Sequence, residues 1–144
     1  MIDAVKISVV DWHQNQTALK AIRKSVFIDE QHVPEALEWD GHDADCTQFL
    51  VSVNTLPVAT ARLTPQGQIG RMAVLRDFRG KGVGSRLLAA VIDQARDTGY
   101  EQVFLHAQVN VIKFYEKQGF IAEGEIFMDA GIAHKAMRLS FNND

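Results

Sequence analysis

Between Ile69 and Ala107 the chain reads as strand, glycine-rich turn, helix, strand, and this run limits the possible folds more than any other. Ile69 to Val74 read as a strand. Arg79-Gly80-Lys81-Gly82-Val83-Gly84 then leads into a helix, Lys81 to Thr98, that sets Val83, Leu87, Leu88, Val91, Ile92 and Ala95 on one stripe and stops at Gly99. Val103 to Ala107 is a second apolar strand. A connection of this length with a helix in it returns the chain parallel to the first strand, so the strand Val103 to Ala107 is expected to lie beside Ile69 to Val74 through a helical crossover.

The flanking segments extend this into one α/β domain covering residues 1–144. Val5, Ile7 and Val9 alternate as a first strand, and Leu19, Ile22, Val26 and Phe27 give Thr17 to Glu30 a helical period. Gln31 to Cys46 has no sustained period and is expected to be a short helix and loop, or a lid over the site. Phe49 to Val53, Val58 to Leu63 and Ile69 to Val74 form an antiparallel meander with turns at Asn54 to Pro57 and Pro65 to Gln68. Val111 to Gln118 is a short helix ended by Gly119, and strands around Phe120 to Met128 and His134 to Phe141 close the sheet.

The glycine run also carries chemistry. Glycines let a ligand approach the backbone, and the amides that open a helix point outward with partial positive charge, a combination that holds phosphate. The dinucleotide pattern Gly-x-Gly-x-x-Gly fails, because from Gly82 its third glycine falls on Leu87, and no Gly-x-x-x-x-Gly-Lys-Ser/Thr string exists.

Composition narrows the function classes. A chain of 144 residues with 47% hydrophobic content suffices for one core. A net charge of -3 argues against non-specific nucleic-acid binding or membrane-surface attachment, both of which need a basic face. The single Cys46 excludes an intramolecular disulfide, and neither a signal peptide nor an apolar stretch of membrane-spanning length is visible, so a soluble cytoplasmic protein is expected. His42, Asp43, Asp45 and Cys46 lack the paired spacing of a zinc site; no metal is expected, and the segment reads as a solvated acidic loop. With Glu35, Glu38 and Asp40 it is expected to form an acidic rim that attracts a cationic amine. Trp39 is either a lid aromatic or an anchor for the loop.

Arg79, Gly82 and Gly84 spell Arg-x-x-Gly-x-Gly, which resembles the pyrophosphate loop of the GCN5-related N-acetyltransferases (GNAT family). Asn110-Val111-Ile112-Lys113-Phe114-Tyr115-Glu116-Lys117-Gln118-Gly119-Phe120 is similar to that family's second signature, in the same order and spacing. Val26 to Gln31, Glu38 to Gly41, Leu105 to Gln108 and Ala130 to His134 extend the resemblance, over nearly the whole chain, to the small bacterial subgroup that includes the ElaA and YjcF proteins.

The resemblance implies a single acyl-CoA N-acyltransferase domain, with a mixed, mostly antiparallel sheet, a splayed parallel strand pair and flanking helices. It implies acetyl-CoA as cosubstrate, gripped by Arg79, Gly80, Lys81, Gly82, Val83 and Gly84. The strand at Met72, Ala73 and Val74 is expected to bulge and splay, so that its backbone holds the pantetheine arm and the Val74 amide polarises the thioester carbonyl. Asn110 would bind the same arm or cap the following helix. Tyr115 would protonate the departing thiolate, against the alternative of a core aromatic beside Phe114 and Phe120.

An alkylammonium must lose a proton before it attacks, so a base is required. The candidates are Glu30, Glu38, Asp40, His42, His106 and His134, with His134 first, because imidazole titrates near neutrality, and Glu30 second. His106, on an apolar strand, reads equally as a satisfied core histidine. The acceptor is a small-molecule or peptide amine of unspecified identity; another acyl-CoA donor, a non-catalytic acyl-CoA sensor and a homodimer stay open.

Overall fold

A computed structural model of the protein describes residues 4–141. Its first sheet is antiparallel, in the order β1 (Val5–Val10), β2 (Thr47–Val53), β3 (Leu56–Leu63) and β4 (Ile69–Val74). The second has the order β5 (Gln102–Gln108), β7 (Ile132–Ser140), β6 (Ile121–Asp129), also antiparallel.

The expected parallel pairing of β4 with β5 is confined to its very start. Gln68 and Phe104 form one parallel bridge, where the Phe104 amide donates to the Gly67 carbonyl at 3.0 Å, and from there the strands diverge. Gly67 makes the close approach possible: its φ is +97°, and a Cβ there would lie 3.0 Å from the Gln102 carbonyl oxygen. The crossover is therefore realised as a V closed at Gly67 and open toward Val74 and Gln108.

Helix α3 (Val83–Asp97) fills the space behind the V. Its six stripe residues are the ones read from the sequence, all buried, and they pack on Phe49, Val51 and Leu63 of the first sheet and on Val103 and Leu105 of the second. Each of the Val, Leu and Ile side chains among them contributes roughly 1.5–3 kcal/mol on full burial. Helix α1 (Trp12–Arg23) and the turn that continues it cover the other face of the first sheet, where Ile22 and, beyond the helix, Val26 meet Ala73 and Leu50.

Helix α1 begins five residues earlier than the apolar period suggests, because the Asp11 carboxylate caps it by accepting from the Gln14 amide at 2.9 Å. Past Arg23 the helix widens into a π-helical segment, Lys24–Glu30. The wider turn places Val26, Phe27, Glu30 and Gln31 along the open V. Helix α2 (Glu35–Glu38) and a single 3-10 turn at Asp43–Asp45 are the regular structure of the following segment, and α4 (Ile112–Glu116) is shorter than expected because Val109–Val111 form a 3-10 turn before it.

The 35–46 segment is not the solvated acidic loop or the acidic rim that its composition suggests. Three of its five carboxylates, those of Glu38, Asp40 and Asp43, are turned inward onto three arginines, and only Glu35 and Asp45 stay exposed. Arg23, fully buried, donates to Glu38 at 2.8 Å and to Asp43 at 2.6 Å; Arg62 on β3 donates to Asp43 at 2.9 Å and to both oxygens of Asp40; Arg71 on β4 approaches Glu38 and Asp40 at 3.2 Å each. Asp40 is held well below the usual carboxylate range by its hydrogen bonds from Arg62. Burial alone would raise Asp43, but Arg23 and Arg62 outweigh it and the net shift is downward. Trp39 is an anchor: the Arg23 guanidinium lies 5.0 Å from its ring centroid.

Candidate active site

The open V is the wall of a cleft of about 860 Å³. At one end sits the glycine loop. Gly82 has φ +82° and is the N-cap of α3, with no side chain capping the helix, so the first amides of a four-turn helix remain available to a ligand. Gly80 is also left-handed, at φ +74°, and a Cβ at either position would meet no heavy atom within 4 Å, which leaves the loop bare on its outer side. Gly84 differs: it is helical, and a Cβ there would make ordinary contact with Phe114 and Val74 at 3.5–3.7 Å. These features suit a pyrophosphate.

The side chains of the loop divide. Arg79 lines the cleft, whereas Lys81 lies over the Phe78 ring at 5.8 Å and Val83 is buried in the core, leaving Val83 only its backbone to offer. Arg79 Nε donates to the Val74 carbonyl at 2.8 Å, and its two terminal nitrogens grip the Glu30 carboxylate at 2.6 and 2.8 Å. The hydrogen bond from Arg79 holds Glu30 below the ordinary carboxylate value. Glu30 is thus a poor proton acceptor in this arrangement.

Along the middle of the cleft run Met72, Ala73 and Val74. Here β4 bulges as expected: Thr60 pairs with Ala73 and Arg62 with Gly70, so that Arg71 and Met72 stand against the single residue Ala61.

Asn110 lines the cleft from the 3-10 turn after β5, but it caps nothing; Val111 occupies the N-cap position of α4 and makes no side-chain cap. Tyr115 combines both of the roles weighed for it. Its ring packs edge-on against Phe114 (5.1 Å) and Phe120 (6.0 Å), while it also lines the cleft, and burial pushes its phenol up to about 12. No hydrogen bond from its hydroxyl is formed among the described residues.

His134 on β7 is 9% exposed and lines the cleft. Its Nδ1 lies 2.7 Å from the Ile132 carbonyl oxygen; a carbonyl can only accept, so Nδ1 carries a proton, and in the neutral ring the lone pair is on Nε2. Phe127 stacks on the ring at 5.9 Å and meets His106 edge-on at 5.1 Å. His106 is an exposed residue of the cleft wall, so of its two readings that of a satisfied core histidine does not hold, because its side of β5 faces the V. Of the other base candidates, Glu38 and Asp40 are bound in the arginine cluster and His42 lies outside the cleft lining.

Two wall residues are given no role in the sequence reading. Gln108 Nε2 donates to Gln31 Oε1 at 2.9 Å, a bridge from β5 to the end of the π-helical segment. Arg71 enters the cleft at the bulge.

A bare glycine loop beside a bulged, splayed strand pair matches the architecture that the sequence resemblance implied, and a family model described as Acetyltransferase (GNAT) domain matches residues 10–141. The chain belongs to the GNAT family. Bacillus subtilis YjcF, named as an uncharacterized N-acetyltransferase, is 34% identical over 121 residues, covering 81% of this chain and 86% of YjcF. Among solved structures, Escherichia coli ElaA superposes with a TM-score of 0.85 at 27% identity, covering 94% of this chain and 99% of ElaA. An acyl-CoA N-acyltransferase from Pseudomonas aeruginosa gives 0.84 at 26% identity, with 94% and 99% covered. Among the described residues of this GNAT domain, no helix is long and apolar enough to cross a membrane.

Proposed function

We propose that this GNAT-family protein is an N-acetyltransferase that moves the acetyl group of acetyl-CoA to a primary amine by direct attack. What supports the reading is that one cleft joins uncapped, glycine-opened helix amides to a phenol and an imidazole with free polar atoms.

In this reading the amides around Gly82 and Gly84 hold the pyrophosphate, and the backbone of Met72 to Val74 orients the thioester, the Val74 amide polarising its carbonyl. His134 Nε2 accepts the proton that the acceptor ammonium must lose, and Glu30 serves the Arg79 contact instead. As the new C–N bond forms and the C–S bond breaks, Tyr115 delivers its proton to the thiolate sulfur. A phenol near 12 stays protonated across the working pH range and yields its proton only to a base generated in the same low-polarity cleft.

The test is acetyl-CoA turnover, followed as free thiol, against polyamines, amino sugars, aromatic amines and peptide N-termini. Tyr115→Phe keeps the ring contacts and should bind acetyl-CoA normally while turnover falls about 10²- to 10⁴-fold. Full activity of that variant would remove Tyr115 from the chemistry; turnover with succinyl-CoA in place of acetyl-CoA would change the donor.

A further inference from the structure

Arg71 has φ +49°, in the interior of a strand. A non-glycine residue held there is strained, so neighbouring structure must over-determine it. The preceding residue is Gly70, which tolerates that conformation freely and does not adopt it. Something therefore holds Arg71 in particular.

The holding contacts all come from the 35–46 segment. Arg71 Nη2 donates to the Leu37 carbonyl at 3.2 Å, the Glu38 carbonyl at 3.1 Å and Asp40 Oδ2 at 3.2 Å, while Nε lies 3.2 Å from Glu38 Oε2 without the geometry of a hydrogen bond. Those partners are themselves fixed, Glu38 by Arg23 and Asp40 by Arg62. Of the three arginines, Arg71 is the one that lines the cleft, with 25% of its side chain exposed against 1% for Arg23 and 8% for Arg62.

We propose that Arg71 is a positioning residue: anchored on Leu37, Glu38 and Asp40, it locks the β4 bulge and thereby the backbone of Met72 to Val74 along the cleft. Without the anchor, β4 is free to relax toward regular pairing with Ala61. A slip of one residue turns each side chain to the opposite face and moves the peptide groups that line the slot. The 35–46 segment thus sets the geometry of the strand that would orient the thioester. The kinetic consequence rests on the acyltransfer reading; the structural one does not.

Arg71→Gly keeps the left-handed backbone at no steric cost and removes the anchor, and Arg71→Lys keeps a positive charge in the cluster but cannot span two carbonyls and two carboxylates. Amide hydrogen exchange across 71–75, measured on the free protein, should accelerate about tenfold or more in both variants. The kcat should fall about 10- to 100-fold, the scale of a misplaced reacting group, while acetyl-CoA affinity, shared between the glycine loop and this strand, should fall by less than kcat does. A purely structural arginine would lower thermal stability yet leave kcat and the exchange of 71–75 native well below the melting temperature, and that result overturns the proposal. Should Arg71→Gly not fold, Arg71→Lys carries the same comparison. Wild-type protein inactive with every amine would count against the acyltransfer reading alone, since the exchange result is obtained without turnover.

Discussion

The glycine loop and the 35–46 segment border the same cleft and treat polar groups in opposite ways. At the loop, helix amides are left without caps and left-handed glycines leave open space outside the backbone. In the segment, three guanidinium groups meet three carboxylates, and Arg23, Glu38 and Asp43 have lost nearly all contact with solvent. Unsatisfied donors at a surface are a binding property, because the missing partner can be a ligand. Satisfied buried charges are an architectural one, because each already has its partner and any loss leaves a charge uncompensated.

Removing one member of the buried cluster is the most severe way to break this contrast. Arg23→Ala leaves Glu38 and Asp43 buried beside a cavity, and the expected loss is about 3–5 kcal/mol in urea or thermal unfolding. Arg23 does not line the cleft, so stabilisation by acetyl-CoA should persist in whatever fraction remains folded. A loss below about 1 kcal/mol would mean that the cluster is not what holds the segment in place.

Glycine substitutions sharpen the contrast further, because the two regions offer a matched pair. Gly41 and Gly82 both have φ +82°, and a Cβ at either meets nothing within 4 Å. Replacing either by valine should cost a similar backbone strain, about 1–3 kcal/mol. Only Gly82→Val should also lose the stabilisation by ligand, roughly 2.7 kcal/mol at a hundredfold excess of acetyl-CoA over its dissociation constant. Equal ligand-induced shifts in melting temperature for the two variants would remove the pyrophosphate role from the loop.

The two regions were also unequally legible in the sequence. Local periodicity sufficed for the α3 stripe, the meander and the glycine loop, since each depends on neighbours a few residues apart. The arginine cluster was not visible, because Arg23, Arg62 and Arg71 lie on three separate elements and meet their acids only in the fold. A signal did exist: Arg62 stands among Val58, Ala59, Ala61 and Leu63, all buried, and a charge in such a run needs a buried partner. The π-helical segment that brings Glu30 and Gln31 to the cleft has no comparable marker, because the apolar period of Ile22, Val26 and Phe27 serves an α-helix equally well. At the candidate site, the resemblance located Tyr115, His134 and the loop on the cleft, but pairwise contacts such as Glu30 with Arg79 required coordinates.

The smallest effect expected is also the one that separates the regions by pH. Asp40 and Asp43 both have carboxyls depressed by their arginine partners, so the folded state resists protonating them more than the unfolded chain does. Above the unfolded value of 3.8 their full stabilisation is present; as pH falls below it the unfolded state takes up protons first, and stability declines until the folded-state values are passed. Asp40→Asn removes one of these carboxylates while Arg62 keeps Asp43 at 2.9 Å, so the loss at pH 7 should be about 1 kcal/mol, well below that of Arg23→Ala. Because the variant has one fewer group to protonate, its stability should fall less steeply than wild type between pH 5 and about pH 2, and the two urea midpoints should converge on acidification. Glu30, whose carboxyl is also depressed, provides the control at the cleft end: Glu30→Gln should likewise flatten the acid limb, but from the side of the glycine loop and without loosening the 35–46 segment. Midpoints that stay parallel for Asp40→Asn over the whole range would show that Asp40 is not ionised through its contact with Arg62, and the contrast between an open and a closed polar region would then rest on Arg23 and Asp43 alone.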